Sequence, residues 1–418
     1  MNRCRLQHIA VRGRRVDYRF EVEGAWRAYF RPECKLFFEY NCDVSDVPPS
    51  VLAIPFVANV APLAWLTDAT VEADTLDADF YAALPRIKAG YEAMFPHMRL
   101  GGAVHVRTTE RNAYEPEREA ALFSGGLDAL TTYIRVKDRR PLLVTEYGWH
   151  EDDVRPSDVW EADKANTLTF AAERGLDALF VESNYGTFIK AQTVDRDYRR
   201  KLGDTWWHGL HHGLAILSAA VPGAYARRVG RMYIASSNSP AYPMPCASDP
   251  KVDNEFRFGT AGAVVHDGYE LTRQDKVKTL VDYFAATGER VDVRVCFRKE
   301  ANCCGCEKCL RTMGGILAEG RDPREFGFPV AGDLFAHFRL RLNEEVKFFS
   351  DAFISMYWSR IQARMRENYE RVPDRRLADW LLAYDFKAER RKSLFRYRVK
   401  NFVPILKRKV GGVFAREA

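Results

Sequence analysis

The stretch of sequence that decides the fold is Ala121-Leu122-Phe123-Ser124-Gly125-Gly126-Leu127-Asp128-Ala129. Apolar residues lead into it, as in a buried strand, and Gly125 and Gly126 then remove side chains where the backbone must turn sharply. The segment from Asp128 to Val136 is able to form a helix. A strand, a glycine-rich turn and a helix start together make an anion site, because backbone N–H groups and the helix dipole face the ligand. The stretch therefore predicts phosphate binding, with Asp128 placed to cap the helix or to hold Mg²⁺ beside the phosphates.

The composition is that of a soluble globular protein, with 47% hydrophobic and 29% charged residues in a chain of 418. This length allows two or three domains with cores of their own. The net charge of +6 is unevenly placed, because residues 386–418 contain eleven Lys and Arg against two Asp and Glu. We expect this basic tail to be a solvated extension, or to contact RNA, an anionic membrane or an acidic protein.

The chain is expected to be cytoplasmic. Its start, Met1–Arg5, runs straight into charged residues and lacks the apolar centre of a signal peptide. The longest apolar run, Val51–Leu66, is interrupted by Pro55, Asn59 and Pro62, so we expect no transmembrane segment. Nine cysteines, five of them clustered late in the chain, fit a reduced metal site better than a set of disulfides.

The pattern of elements predicts three domains. Residues 1–115 are expected to form a β-rich accessory domain, in which Ala25–Phe30 is one of several short strands. This domain would cover the active site, form a dimer or select a partner. Residues 116–325 alternate strands with helices, down to a last strand at Val291–Phe297, which predicts an α/β fold with a doubly wound parallel sheet. Residues 326–418 are predicted to be a helical, basic extension.

Polar residues follow several of the predicted strands. Besides the loop at Ser124, they form the groups Glu146–His150, Glu182–Asn184 and Ser236–Asn238. Ligands of parallel α/β sheets bind beyond the carboxyl ends of the strands, so we expect these groups to converge on one site. Aromatic residues near the same strand ends either flank a purine ring or belong to the core: Phe123, Tyr147 and Trp149.

Four cysteines at metal-ligand spacing follow the predicted last strand: Cys296, Cys303, Cys306 and Cys309. Two Cys-x2-Cys steps place thiolates around a turn, and four thiolates suit tetrahedral Zn²⁺. Cys304 competes with Cys303 for a place in the set, but only Cys303 gives two equal steps, and Gly305 is expected to allow the tight winding. An iron–sulfur cluster or a group of buried free cysteines are the alternatives.

The two motifs together resemble a known family. The glycine-rich stretch is similar to the Ser-Gly-Gly-x-Asp-Ser signature of the PP-loop ATP pyrophosphatases, and it departs from that signature at Ala129, where Ser or Thr is usual. The match covers four residues: Ser124, Gly125, Gly126 and Asp128. With the cysteine-rich segment Asn302–Arg311 at the end of the same domain, residues 118–320 resemble 7-cyano-7-deazaguanine synthase.

The resemblance implies an ATP-dependent ligase that activates a carboxylate, such as 7-carboxy-7-deazaguanine, as an acyl-adenylate and releases pyrophosphate. Ammonia or another amine then attacks the adenylate. ATP, Mg²⁺ and Zn²⁺ are the implied cofactors, and the implied nucleotide-binding residues are Phe123, Ser124, Gly125, Gly126, Leu127 and Asp128. The implied catalytic residues are Asp128, Arg273 and Lys276. Asp128 would hold Mg²⁺, whereas Arg273 and Lys276 either contact phosphate or belong to a solvated helix start.

Other functions stay open at this point. The same adenylate chemistry serves amidation or thiolation of a sugar or a tRNA, and the added domains would suit a protein or nucleic-acid acceptor. Because Ala129 lacks a hydroxyl donor to pyrophosphate, a catalytically weak nucleotide-binding partner protein is a further alternative.

Three histidines on one predicted helix form a separate group. His208, His211 and His212 share a helical face through their i, i+3 and i+4 spacing. A metal site there needs a cysteine or carboxylate partner, and none is close in sequence, so helix packing or substrate contact is preferred.

Overall fold

The computed structural model describes residues 2–149, 157–296 and 299–400. Predictions that involve His150, Phe297 or the tail after Lys400 lie outside these residues. The chain divides into two compact units, residues 1–272 and 273–418. The domain boundaries expected near residues 115 and 325 stay predictions.

One sheet of eleven strands forms the centre of the first unit. In chain order the strands are β1 (Arg3–Arg12), β2 (Arg15–Glu23), β3 (Lys35–Tyr40), β4 (Thr70–Asp77), β5 (Ala103–Glu110), β6 (Arg118–Leu122), β7 (Leu142–Tyr147), β8 (Ala178–Ser183), β9 (Val229–Ala235), β10 (Arg257–Phe258) and β11 (Gly262–Asp267). Their order across the sheet is β10-β11-β9-β6-β7-β8-β3-β2-β1-β4-β5. Strands from both sides of residue 115 thus belong to the same sheet.

The half of the sheet from β11 to β8 is parallel throughout, with β6 in the middle. The chain runs from β6 to β7 and β8 on one side and then returns to β9 and β11 on the other side. The strand order therefore reverses between β6 and β9. Ligands of open α/β sheets bind beyond the carboxyl ends of the strands at such a reversal. The predicted α/β class is confirmed, but the sheet as a whole is mixed and mostly parallel where a purely parallel sheet was predicted. The loop at Ser124 follows β6 directly.

The other half of the sheet is joined through β3, which pairs antiparallel with β8. β2 pairs antiparallel with both β1 and β3, whereas β4 and β5 run parallel to β1. The strand predicted at Ala25–Phe30 is wrong, because a 3-10 helix occupies Gly24–Tyr29. Gly24, at φ +71°, turns the chain out of β2, and the buried Trp26 donates from Nε1 to Thr67 Oγ1 at 2.8 Å.

Eight α-helices accompany the sheet within the described part of the first unit. They are α1 (Pro49–Leu52), α2 (Ile54–Thr67), α3 (Ala78–Met94), α4 (Leu127–Val136), α5 (Ser157–Glu173), α6 (Ala191–Leu202), α7 (His212–Ala226) and α8 (Pro250–Asp253). A π-helical turn, Trp207–His211, leads into α7. Helix α4 buries Leu127, Leu130 and Tyr133, whose spacing puts them on one face, and contacts β6 and β9. This packing holds the start of α4 at the end of β6.

The apolar run near the N-terminus is helical over almost its whole length. Pro55 lies in the first turn of α2 and Pro62 inside it, so neither residue ends the helix. By length and composition the stretch Pro49–Thr67 would be able to cross a membrane, but 94% of its apolar window is buried within the protein. Such burial is typical of a core helix.

The second unit is helical in its described residues. Its helices are α9 (Arg273–Thr287), α10 (Glu307–Ala318), α11 (Leu334–Glu345), α12 (Asp351–Phe353), α13 (Ser359–Glu367), α14 (Arg375–Ala383) and α15 (Phe386–Lys400). Trp358 is fully buried and stacks on Phe386, with ring centroids 4.8 Å apart. The strand predicted at Val291–Phe297 is wrong for its described part, residues 291–296, which have no strand partner among the described residues.

Candidate nucleotide and metal sites

The glycine-rich loop begins directly after Phe123. The N–H of Phe123 donates to the carbonyl of Val144 at 2.7 Å, and its carbonyl accepts from Thr145 Oγ1 at 2.6 Å. Both backbone groups of Phe123 are therefore tied to β7, and its ring packs on Phe170 with centroids 4.7 Å apart. Phe123 thus serves to fix the point at which the chain leaves the sheet.

Gly125 and Gly126 make the turn from strand to helix. Gly125 has φ +68°, a conformation that costs residues with a Cβ about 1 kcal/mol or more. Gly126 is the N-cap of α4 and, having no side chain, makes no capping hydrogen bond. Its own N–H lies 3.4 Å from Oγ of the exposed Ser124. The first N–H groups of α4 therefore receive no hydrogen bond from the side chain of the N-cap residue. A helix start that binds an anion needs such N–H groups to face the ligand.

Asp128 lies in the first turn of α4 and is half-buried. A carboxylate at this place is stabilised by the positive end of the helix dipole. Leu127 and Ala129, on either side of it, are buried, with 1% and 6% of their surfaces exposed. Asp128 is therefore the charged side chain that the first turn presents, whereas its two neighbours face the core.

Helix α4 is anchored at the end of β11. Thr132 Oγ1 donates to Asp267 Oδ2 at 2.8 Å, and Arg135 Nε donates to the other oxygen of the same carboxylate at 3.1 Å. The backbone N–H of Ser236, after β9, donates to the Asp267 carbonyl at 2.8 Å. These contacts tie α4, which follows β6, to the ends of β9 and β11 across the point where the strand order reverses.

Two of the polar residues at the end of β8 bind the neighbouring strand β3. The side chain of Asn184 accepts from the N–H of Phe37 at 3.0 Å and donates to the carbonyl of Lys35 at 3.0 Å. Ser183 Oγ donates to the carbonyl of Phe37. Both side chains thus fasten β3 to the end of β8, whereas Glu182 is exposed and accepts from Trp160 Nε1 at 3.2 Å.

Glu146, at the end of β7, is an acid in an apolar setting. Its Oε2 accepts from the hydroxyl of buried Tyr185 at 3.0 Å, whereas Oε1 is buried with no partner among the described residues. Burial raises the pKa of Glu146 well above its usual range. Nearby, Tyr147 stacks on Trp160, and Trp149 stacks on Trp207. Burial therefore favours the neutral form of this carboxylic acid, which lies at the end of the strand that follows the glycine-rich loop.

The predicted metal ligands come together in the second unit. The ligand atoms of Cys296, Cys303, Cys306 and Cys309 all lie within 4.8 Å of one another. The Sγ atoms of Cys303 and Cys309 are 3.9 Å apart, and a zinc ion with tetrahedral bonds of 2.3 Å would place them about 3.8 Å apart. The spacing fits a single tetrahedral ion. The four cysteines therefore form a site that is able to hold a metal such as zinc.

The start of α10 positions two of these sulfurs. Cys306 is the N-cap of α10, and Cys309 lies in its first turn. The backbone N–H of Cys306 points at Cys303 Sγ, 3.3 Å away, a contact that stabilises a thiolate. The hydrogen bond from Cys309 lowers the pKa of Cys306 to about 5, and the same pairing raises the pKa of Cys309.

Cys304 stays outside the group, as the spacing predicts. It has φ +54°, and its Sγ contacts the carbonyl of Asn302 at 3.5 Å. Burial raises its pKa to about 11. Gly305 does not supply the unusual backbone conformation of this loop, because the residue with positive φ is Cys304. Cys304, the residue in the left-handed turn, is therefore not one of the four gathered sulfurs.

Asn302 is a structural residue of the metal site that sequence reasoning missed. Its Oδ1 accepts from the N–H groups of Val295 and Cys296 at 3.0 and 3.3 Å. Its Nδ2 donates to the carbonyls of Val293 and Gly327 at 2.7 and 2.8 Å. One side chain thus satisfies backbone groups that a neighbouring strand would otherwise pair, which is why residues 291–296 need no sheet.

Arg273 and Lys276 belong to α9 of the second unit, whereas the glycine-rich loop belongs to the first. Both residues have polar partners in the fold, and Lys276 has only 2% of its surface exposed. Their assignment as phosphate ligands stays a prediction.

Comparisons with protein-family models, curated proteins and solved structures find no match to this chain.

Proposed function

We propose that the chain is an ATP-dependent adenylating enzyme of the PP-loop kind, similar to 7-cyano-7-deazaguanine synthase. The observation that carries the proposal is the position of the loop Ser124–Gly126, which follows β6 where the strand order reverses and leads into a helix start without a side-chain cap. Loops at this place in α/β sheets bind nucleotide phosphates in unrelated proteins. Asp128 in the first turn adds the carboxylate that a magnesium–nucleotide complex needs.

The reaction we propose has two steps. An oxygen of the substrate carboxylate attacks the α-phosphorus of ATP, and the bond to the bridging α,β-oxygen breaks, so that pyrophosphate leaves. Ammonia or another amine then attacks the acyl carbon, AMP leaves with the carboxyl oxygen, and the amine loses a proton. The backbone N–H groups of residues 126–129 would stabilise the charge on the leaving pyrophosphate, and Asp128 would hold Mg²⁺ beside it. This chemistry requires positioning and charge stabilisation more than acid–base groups.

The metal of the four-cysteine site is proposed to be Zn²⁺ in a structural role. Four thiolates fill a tetrahedral coordination shell, so no position remains for a substrate. The ion would join the start of α10 to the segment that contains Cys296 and thereby stabilise the second unit.

ATP–pyrophosphate exchange tests the function. Purified protein is incubated with Mg²⁺-ATP, labelled pyrophosphate and a panel of carboxylic acids that includes 7-carboxy-7-deazaguanine. We expect exchange with at least one acid, and we expect Asp128→Asn to abolish it without unfolding the protein. The matched control is Asp138→Asn, just after α4, whose side chain is 92% exposed and pairs with the neighbouring Lys137; it should keep full exchange.

Three outcomes would count against the proposal or part of it. Release of ADP and phosphate in place of AMP and pyrophosphate would exclude adenylation. Normal exchange in Asp128→Asn would show that the magnesium assignment is wrong. Tight ATP binding with no exchange for any acid would favour a nucleotide-binding partner protein, as the missing hydroxyl at Ala129 suggests.

A further inference from the structure

A second group of metal-ligating side chains lies in the first unit, around the π-helical turn that precedes α7. Of the three histidines on this segment, His211 is held in the core, where its Nε2 lies 2.9 Å from Asn59 Oδ1. His208 and His212 instead point towards Cys246, whose Sγ lies 3.7 Å from Nε2 of His208 and 3.8 Å from Nε2 of His212. The fold thus supplies the cysteine partner that no nearby stretch of sequence contains. π-Helical turns are rare and often occur at functional sites.

The segment with Cys246 is fixed in place against the helix. The N–H of Ala247 donates to the carbonyl of His208 at 2.7 Å. Gly213 allows this close approach, because a Cβ at that position would lie 2.2 Å from the carbonyl oxygen of Ala247. The thiol therefore lies beside the two imidazoles through built contacts and not through a flexible loop.

Both imidazoles are oriented by hydrogen-bond acceptors at Nδ1, the ring nitrogen that does not face Cys246. Nδ1 of His208 lies 2.7 Å from Asp204 Oδ2, and Nδ1 of His212 lies 3.0 Å from the carbonyl of Trp207. When each Nδ1 carries the proton, each Nε2 presents a lone pair towards Cys246. A carboxylate or carbonyl behind a histidine is the usual support of a metal-bound imidazole.

With both imidazoles neutral and protonated at Nδ1, the thiol alone does not satisfy this arrangement. A single S–H then donates to one nitrogen, so the other imidazole lone pair is left facing the lone pairs of sulfur. A divalent cation would satisfy the sulfur and both nitrogens at once. We propose that Cys246, His208 and His212 bind a second Zn²⁺ ion, distinct from that of the four-cysteine site.

The distances agree with this assignment. Bonds of 2.3 Å to sulfur and about 2.05 Å to nitrogen at tetrahedral angles place the ligand atoms about 3.6 Å apart, close to the contacts with Cys246. Among the described residues, the four-cysteine group is the one whose ligand atoms are gathered for a metal ion as they stand. The rings of His208 and His212 stack with centroids 5.5 Å apart, so the imidazoles would have to reorient when the ion binds. The side chain of His208 is 38% exposed and has room to turn. Three protein ligands leave one position for water or a substrate.

A cysteine nucleophile would use some of the same residues, since Cys246, His208 and Asp204 form a chain of contacts. The burial of the thiol disfavours that function, because Cys246 has only 1% of its surface exposed and a substrate carbon would have little access to the sulfur. A metal ion needs only a narrow entry, past the half-exposed His208.

Zinc counting on the full-length protein tests the proposal. After equilibration with Zn²⁺ and removal of loosely bound metal, elemental analysis should give two zinc ions per chain. Cys246→Ser and His208→Gln should each bind one zinc ion fewer than the wild type. If Cys246→Ser does not fold, the zinc content of His208→Gln tests the proposal. The control variants Cys34→Ser, at a half-exposed cysteine, and His105→Gln, at an exposed histidine, should keep both ions.

Cobalt separates the two sites. In the Cys303→Ser background only the second site remains, and bound Co²⁺ should show a sulfur-to-metal charge-transfer band that disappears in the Cys246→Ser double variant. No metal in the Cys303→Ser protein would overturn the proposal. The same holds if both Cys246→Ser and His208→Gln keep the wild-type zinc content.

Discussion

Exchanging Cys303 or Cys304 for serine should have opposite effects, although the two residues are neighbours. Cys303 Sγ lies 3.9 Å from Cys309 Sγ inside the four-cysteine group. Cys304 Sγ does not belong to this group and makes a weak contact with the carbonyl of Asn302. We therefore expect Cys303→Ser to lose the zinc ion of this group, and Cys304→Ser to keep it.

The magnitude follows from what each change removes. When the free zinc concentration is a thousand times the dissociation constant, binding stabilises the folded protein by about 4 kcal/mol. The free energy of unfolding of Cys303→Ser should therefore be lower than that of the wild type by at least this amount. For a unit of this size, such a loss lowers the melting temperature by roughly 10 °C. Cys304→Ser replaces one weak sulfur hydrogen bond and keeps the backbone at φ +54°, so its cost should stay within about 1 kcal/mol.

Elemental analysis and calorimetry of the two variants give the answer. Cys303→Ser should hold one zinc fewer than the wild type, and added zinc should not restore its melting temperature. The reasoning is refuted if Cys304→Ser loses the ion while Cys303→Ser retains it. A wild-type protein without zinc at this site would remove the main support for the family resemblance.

Two further predictions concern the first unit. Gly125→Ala should lower the stability of the protein by about 1 kcal/mol, and so should the control Gly203→Ala, at φ +71° with open space around its Cβ. In isothermal titration calorimetry, only Gly125→Ala should weaken ATP binding. Equal ATP affinities of the two variants would place the nucleotide elsewhere. Burial raises the pKa of Glu146, so its carboxyl group keeps the proton to a higher pH in the folded protein than in the unfolded chain. The free energy of unfolding therefore falls as the pH rises from the pKa of the unfolded chain through that of the folded protein, by up to about 1.4 kcal/mol per pH unit. Glu146→Gln should thus match the wild type near pH 4 and become progressively more stable than it above that pH in urea titrations, and a difference that is constant with pH would contradict the burial argument.

The parts of the structure that sequence predicted are those set by local chemistry. Adjacent glycines after an apolar stretch indicate a turn between strand and helix wherever the rest of the chain lies, and the loop after β6 is such a turn. Equal Cys-x2-Cys steps likewise separate Cys303 from Cys304 without any tertiary information, and the structure places the two as predicted.

The parts that failed depend on partners far along the chain. Asn184 has the polar character of a ligand residue, but its side chain binds β3, about 150 residues away. The segment 291–296 has the composition of a strand, but the Asn302 side chain and the carbonyl of Phe326 take its hydrogen bonds. Similarly, the cysteine beside His208 and His212 lies 34 residues beyond the latter. Spacing along the chain contains no signal for such pairings.

The measurement that tests the central claim most directly is a crystal structure with Mg²⁺ and α,β-methylene-ATP, which resists cleavage between the α- and β-phosphates. The account predicts that the phosphates lie against the backbone N–H groups of residues 125–129, with the metal ion next to the carboxylate of Asp128. Phosphates bound away from the Ser124 loop, or a loop that stays unchanged and empty at saturating nucleotide, would contradict it.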